Sequence, residues 1–290
     1  MRHQLASEPE PATPSQGEAV HPAHQTLGVW VQITQAQGST PRDVGTGMLV
    51  QTQQVTGTLG GGRLEFEAIA QARDALRPAG ATPQHKAWQQ HYKLGPSLGQ
   101  CCGGAVDLSF ELVDAQGAAL RQRQAQPVRQ PVAIFGAGHV GTALVALLGT
   151  LPFSVSWIDS REGIFPCDLP AGVRCEHSDP VQAAVPELAA QSHVVVMTHS
   201  HGLDLDIIAA CLQRQRQCAD LPYIGLIGSR SKWASFSHRL AQRGYAAHEL
   251  VRVTCPIGLA GIAGKEPPVI ALAVAAQLLQ LRPVAAPATT

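Results

Sequence analysis

Four stretches of this chain bring together residue types that can do chemistry. Gly99-Gln100-Cys101-Cys102-Gly103-Gly104 sets two adjacent cysteines among glycines. A thiolate is a soft ligand for molybdenum, copper or zinc, and a nucleophile when its pKa is lowered. The flanking glycines fit a packed element poorly and read as an exposed loop; the plain alternative is a pair of buried small hydrophobes. Thr198-His199-Ser200-His201-Gly202-Leu203-Asp204 follows the apolar run Val194 to Thr198 and offers two histidines and a carboxylate. It suits ligand contact, helix capping by Ser200 or Asp204, or a metal held by His199, His201 and Asp204. In Gly225-Leu226-Ile227-Gly228-Ser229-Arg230-Ser231-Lys232, a glycine turn at Gly228 is followed by a hydroxyl at Ser229, an arginine and a lysine. Arg230 would grip a phosphate bidentately and Lys232 as a point charge, both facing the cleft of Gly138; a solvated helix start is the competing view. Cys255, in Cys255-Pro256-Ile257-Gly258-Leu259, reads as structural, and Cys167, Cys175, Cys211 and Cys218 as packing.

The fourth stretch, Gly136-Ala137-Gly138-His139-Val140-Gly141, is a GxGxxG. It lies between an apolar run, Val132 to Phe135, and a helical pattern with Val140, Leu144, Leu147, Leu148 and Leu151 on one face. Asp159 ends the next apolar run about 20 residues on, where a ribose-binding acid belongs. Gly136, Gly138 and Gly141 let backbone approach a phosphate, which the free N–H groups of a helix start attract. The bland alternative is that these glycines only close a tight turn.

The elements that must position these residues fall in two groups. Gly28 to Thr34, Thr46 to Gln51, Trp88 to Lys93 and the alternating Ala105 to Val113 read as strands, with a helix from Leu64 to Leu76 opened by Gly60, Gly61 and Gly62. From Pro131 the order becomes strand, turn, helix, repeated, with buried strands at Val132 to Phe135, Ser154 to Ile158, Val194 to Thr198 and Tyr223 to Ile227. The expected fold is α/β: a C-terminal Rossmann-like, doubly wound parallel sheet preceded by a smaller α+β domain. Residues 1–25 read as a disordered tail, 26–115 as the N-terminal domain with the CCGG loop, 116–130 as a linker and 131–290 as the Rossmann-like domain.

Composition narrows the function classes. Of the 290 residues 45% are hydrophobic and only 4% aromatic, which favours aliphatic α/β packing. The formal net charge of +0 at pH 7 argues against a nucleic-acid or anionic-membrane surface. Seven scattered cysteines do not resemble a disulfide framework, no signal peptide is legible, and the longest apolar candidate, Val269 to Leu281, is interrupted by Gln277 and Gln280. These features suggest the cytoplasm.

Taken together, the motifs resemble those of the xanthine dehydrogenase accessory factor family (XdhC/CoxI). The resemblance runs from about Leu27 to Leu281 and rests on GSTPR (Gly38 to Arg42), GTLGGGRLE (Gly57 to Glu65), LGPSLGQCCGG (Leu94 to Gly104) and GAGHVG (Gly136 to Gly141). THSHGLDLD (Thr198 to Asp206), GLIGSRSK (Gly225 to Lys232) and CPIGLAGIAGKEPP from Cys255 complete the series in order. It implies a non-enzymatic carrier that binds the molybdenum cofactor (molybdopterin) and protects it while a cysteine desulfurase exchanges an oxo ligand for sulfur. The carrier then passes it to an apo xanthine dehydrogenase or related molybdoenzyme. Carried over to this sequence, Cys101 or Cys102 would contact the molybdenum. The glycine loops, with Arg42, Asp159, His199, His201, Gly228, Ser229, Arg230 and Lys232, would hold the pterin and phosphate. A nucleotide in the GAGHVG loop and a homodimer are both left open by the resemblance. The competing readings are an NAD(P)-dependent oxidoreductase, supported by the fingerprint and Asp159, and a metal-dependent hydrolase using His199, His201 and Asp204.

Overall fold

The computed structural model describes residues 27–77, 86–95, 103–126 and 128–282. The expected tail, the polar stretch Pro78 to Gln84, and both Cys101 and Cys102 lie outside the described residues. The chain divides into two compact units, Met1–Gln126 and Pro127–Thr290.

In the first unit, the strands β1 (Gly28–Gln37), β2 (Gly47–Val50), β3 (Val55–Gly57), β4 (Ala87–Lys93) and β5 (Ala105–Val113) form an antiparallel sheet in the order β3-β2-β1-β5-β4. Strict alternation explains its two faces. Val29, Val31 and Ile33 of β1 and Val106, Leu108 and Phe110 of β5 point to one side. There they bury Leu64, Ala68 and Ala72 of the helix α1 (Gly62–Leu76). Trp88 of β4 stacks on Phe110, ring centroids 5.0 Å apart, and closes that core at the sheet edge. On the other side Trp30, Leu49 and Val113 pack against Ala118.

Ala118 belongs to α2 (Ala115–Ala125), which occupies most of the segment expected as a linker. Asp114 caps it, accepting a hydrogen bond from the Gly117 N–H at 2.8 Å, and Arg121 pairs with Glu111 of β5 at 2.6 Å. Gln and Arg dominate its exposed sides and Ala118 is its one buried residue, so no apolar period marked it as a helix.

The second unit comprises β6 (Gln130–Phe135), α3 (His139–Gly149), β7 (Phe153–Asp159), β8 (Val173–His177), a 3-10 turn (Val181–Glu187), β9 (His193–Val196) and α4 (His201–Cys218). It continues with β10 (Tyr223–Leu226), α5 (Arg230–Gln242), α6 (Ala247–Leu250), β11 (Val253–Thr254) and α7 (Pro267–Gln280). Its six strands are parallel, in the order β11-β10-β9-β6-β7-β8. This is the doubly wound order of dinucleotide-binding folds, with the chain reversing direction across the sheet between β6 and β9. Residues of β6 alternate between two cores. Val132 and Ile134 join α3 and α7, while Ala133 and Phe135 join α4 and α5. The edge strand β8 escaped sequence reading because only Val173 of its five residues is buried. Among the described residues no helix is long and apolar enough to cross a membrane.

Candidate functional site

The crevice at the β6/β9 reversal is where open α/β sheets take ligands, and here it is a cavity of about 460 Å³. Its walls include Gly138, His139, Arg161, Thr198, His199 and Ile227.

The three fingerprint glycines have different reasons to be there. Gly136 has φ +117°, and a Cβ on it would stand 2.4 Å from the Met197 carbonyl oxygen of the adjoining β9 end. A Cβ on Gly141 would lie 2.2 Å from the Gly136 oxygen. Both are therefore demanded by packing. Gly138 is not: its φ is −83°, open to any residue, and a Cβ there would meet nothing within 4 Å. Gly138 is the N-cap of α3, no side chain caps this helix start, and its first residues, Gly138 to Gly141, line the cavity.

Asp159 ends β7, only 2% exposed, and every acceptor position of its carboxylate is used. Oδ1 accepts from the Arg161 N–H at 3.0 Å and Nε at 2.9 Å; Oδ2 accepts from the Ala137 N–H at 2.6 Å and Arg161 Nη2 at 2.8 Å. Burial raises its pKa, but the hydrogen bonds from Arg161 and Ala137 outweigh burial and hold it at about 2. The acid read from the sequence as a ribose partner thus ties the glycine loop to Arg161 and has no lone pair left over. Arg161 is a charged cavity residue that sequence reading missed, as it missed His139 and Thr198; its signal was its place two residues after that acid.

The two other sequence clusters divide in the same way. Asp204 in α4 is buried, with Oδ1 accepting from the Thr198 N–H at 2.9 Å and its hydroxyl at 2.7 Å. Oδ2 accepts from Lys232 Nζ at 2.6 Å, and Nζ also donates to the Ile227 carbonyl at 2.9 Å. Lys232 therefore turns inward to neutralise a buried carboxylate, correcting the expectation that it faces the ligand cleft. Its alkyl chain covers Gly228, where a Cβ would stand 2.6 Å from Lys232 Cδ. Ser229 caps α5, accepting from the Lys232 N–H at 3.2 Å, and Arg230 is exposed at the helix start and does not line the cavity. His199 lines the cavity; His201, the first residue of α4, lies edge-on to Phe236. With Asp204 committed to Thr198 and Lys232, it is not free to join the histidines as a metal ligand. Among the described residues no group of three or more His, Cys, Asp or Glu side chains is arranged to hold a metal. Cys255 is half-buried, its thiol reaching the Ser229 carbonyl at 3.8 Å, and burial pushes its pKa up.

In the first unit three motifs meet. A Cβ on Gly60 would stand 2.7 Å from Pro41 Cβ, so the GGG turn abuts the GSTPR loop. Gly104 fits against the same loop, a Cβ there meeting the Ser39 oxygen at 2.5 Å. The Leu94 N–H donates to the Gly104 carbonyl at 2.7 Å, closing the β4–β5 hairpin whose loop carries the cysteine pair. Arg42 is exposed beside Gly60. The GGG turn itself is filled from within: Glu65 Oε2 accepts from the Thr58 hydroxyl at 2.6 Å and the Leu59 and Gly61 N–H groups at 2.8 and 3.0 Å.

Residues 132–278 match the XdhC Rossmann domain, and residues 23–87 match the XdhC and CoxI family. The chain belongs to the XdhC and CoxI family. A solved structure from Bacillus halodurans, described as a xanthine dehydrogenase, superposes with a TM-score of 0.69 at 22% identity, over 89% of this chain and 92% of that one. That likeness shows a shared fold across both units. YqeB of Escherichia coli strain K12 is 25% identical over 256 residues, 87% of this chain, and this chain spans 43% of YqeB. The family match bears out the resemblance drawn from the seven ordered motifs. It also places this XdhC chain's open glycine loop within the matched Rossmann region, residues 132–278.

Proposed function

We propose that this protein binds the molybdenum cofactor, protects it during sulfuration and delivers it to an apo molybdoenzyme of the xanthine dehydrogenase type. Family membership supports a maturation role. The observation that carries the ligand reading is Gly138, a glycine with no packing reason to be one, at an uncapped helix start in a cavity of about 460 Å³. That volume lies in the usual range for small-molecule sites. The cargo is elongated, with a phosphate at one end and a dithiolene-bound metal at the other. The α3 N-terminus and Arg161 suit the phosphate, and His139 and His199 offer further polar contacts along the wall. Cys101 and Cys102 offer a soft thiolate of the kind molybdenum takes, and Arg42 lies in the same unit as that pair. The partners are a cysteine desulfurase and the recipient enzyme, met in the cytoplasm, and the protein acts as a carrier rather than a catalyst.

The saturated Asp159 carboxylate weighs against an NAD(P)-dependent oxidoreductase, and the Asp204–Lys232 pair against a hydrolase built on His199, His201 and Asp204. The deciding experiment is purification from a molybdenum-replete host, followed by metal analysis and oxidation of any bound pterin to its fluorescent form. Near-stoichiometric molybdenum and pterin are expected, with transfer of activity to an apo enzyme. The Cys101→Ser, Cys102→Ser and double variants should fold normally, and at least one should lose delivery. Protein that carries neither metal nor pterin and restores no apo enzyme overturns the reading.

A further inference from the structure

The guanidinium of Arg161 has two hydrogen-bonding edges, and only one is in use. Its Nε and Nη2 atoms each donate to Asp159, at 2.9 and 2.8 Å, in a side-on fork. An arginine carries five N–H donors, so this fork leaves three, on the edge formed by Nη1 and the second hydrogen of Nη2. Among the described residues no protein acceptor takes them, and Arg161 lines the cavity with its side chain 38% exposed. The fork also fixes the direction of that free edge. Asp159 is itself immobilised by the Ala137 N–H of the glycine loop at 2.6 Å, so carboxylate, loop and guanidinium form one rigid piece.

We infer that Arg161, held by Asp159, is the specificity-determining residue of this cavity and selects ligands bearing a phosphate monoester over their unphosphorylated counterparts. Three features agree on that chemistry. A planar guanidinium edge matches two phosphate oxygens bidentately. A buried, saturated carboxylate offers a ribose diol no acceptor, so the hydroxyls usually read at this strand end go unrecognised. The uncapped α3 start opens onto the same cavity and favours negative charge. Asp159 is a positioning residue, orienting Arg161 and cancelling its charge so that an empty cavity does not hold a bare cation.

The inference deepens the carrier reading, since it assigns the end of the cargo that this cavity would recognise. The phosphate could belong to a nucleotide or to a pterin side chain, and matched pairs separate the two sources. The full-length chain is titrated calorimetrically with adenosine 2′-monophosphate against adenosine, and with an oxidised pterin phosphate against its dephosphorylated form. In at least one pair the phosphorylated member should bind about tenfold or more tightly, as expected for a bidentate charged contact. Arg161→Gln should abolish that preference. Because Arg161→Gln alone strands a buried carboxylate, the neutral double variant Asp159→Asn with Arg161→Gln serves as the folded control and should lose the preference equally. Asp159→Asn alone should weaken it, with the guanidinium left unheld. A preference retained by the double variant, or absent from both pairs in the parent protein, overturns the inference. A preference confined to the adenosine pair upholds it while counting against the carrier reading.

Discussion

The glycine-rich turns that open α1 and α3 differ in what meets their N–H groups. Gly60, Gly61 and Gly62 have φ of +110°, +78° and +72° and lead into α1, a geometry that cradles anions. The anion is supplied by the chain itself: Glu65, in the first turn of α1, folds its carboxylate back onto the Leu59 and Gly61 N–H groups. Gly136 to Gly141 lead into α3, whose first turn contains no acidic residue, and the helix start opens on a cavity. Asp159 also takes the Ala137 N–H of the second turn, but from the end of β7, so what separates the closed turn from the one that opens on a cavity is a carboxylate in the helix's own first turn, and the glycines by themselves announce neither.

The largest loss of stability is expected at the wall of the cavity. Thr198 lines the cavity because Asp204 holds it, and Asp204 is tolerated in the core because Lys232 neutralises it. Lys232→Met leaves that carboxylate buried and unpaired and should cost about 3–5 kcal/mol, read as a fall in the urea midpoint. A smaller loss is expected from Gly141→Ala, whose Cβ must displace the Gly136 carbonyl now 2.2 Å away. Overpacking of this sort typically costs about 1–3 kcal/mol. If Gly141→Ala melts like the parent protein, the division of the glycines into structural and functional ones fails.

Unplugging the closed turn comes next. Glu65→Ala removes an acceptor shared by a hydroxyl and two backbone N–H groups, a loss of about 2 kcal/mol by the usual worth of charged hydrogen bonds. It should also turn the first unit's turn into an anion site, with added sulfate restoring stability to the variant more than to the parent. The same contrast has an acid signature. Burial raises the pKa of Glu65, but its hydrogen bonds from Thr58 and the Gly61 and Leu59 N–H groups win and lower it, and Asp159 is held at about 2. A carboxylate whose pKa is depressed on folding contributes fully above its unfolded pKa and loses that contribution as pH falls through the folded one. For Asp159 the window runs from roughly pH 4, the ordinary aspartate value, down to about 2. Asp159→Asn should flatten the stability curve there, which stepwise acid unfolding will measure. The smallest stability effect belongs to Gly138→Ala. With φ −83° and open space around its Cβ, the variant should be unchanged or stabilised by about 0.4–1 kcal/mol through the unfolded chain. Cofactor or phosphate-ligand affinity should nevertheless fall severalfold, since the added methyl enters the cavity. Unaltered affinity would remove Gly138 from the site.

Much of this protein was legible in one dimension. The strict alternation of Ala105 to Val113, the apolar runs that became β6, β7, β9 and β10, and the spacing of GAGHVG from Asp159 all follow from local periodicity, which the backbone geometry of strands and helices imposes directly. Edge strands with one buried residue, such as β8, and the polar helix α2 were not, because their stability comes from neighbours rather than from a repeating apolar face. For the site, sequence alone picked out which glycines, acids and cations stand near strand ends. Only tertiary structure decided which were spoken for: Asp159 by Arg161, Asp204 by Lys232, and the Gly61 N–H by Glu65. The reason is that a charged group's availability depends on whether a partner occupies its lone pairs or hydrogens. Lys232 and Asp204, 28 residues apart, are brought to 2.6 Å only by the fold, and even the near neighbours Arg161 and Glu65 reach their partners only where a strand end and a glycine turn aim them.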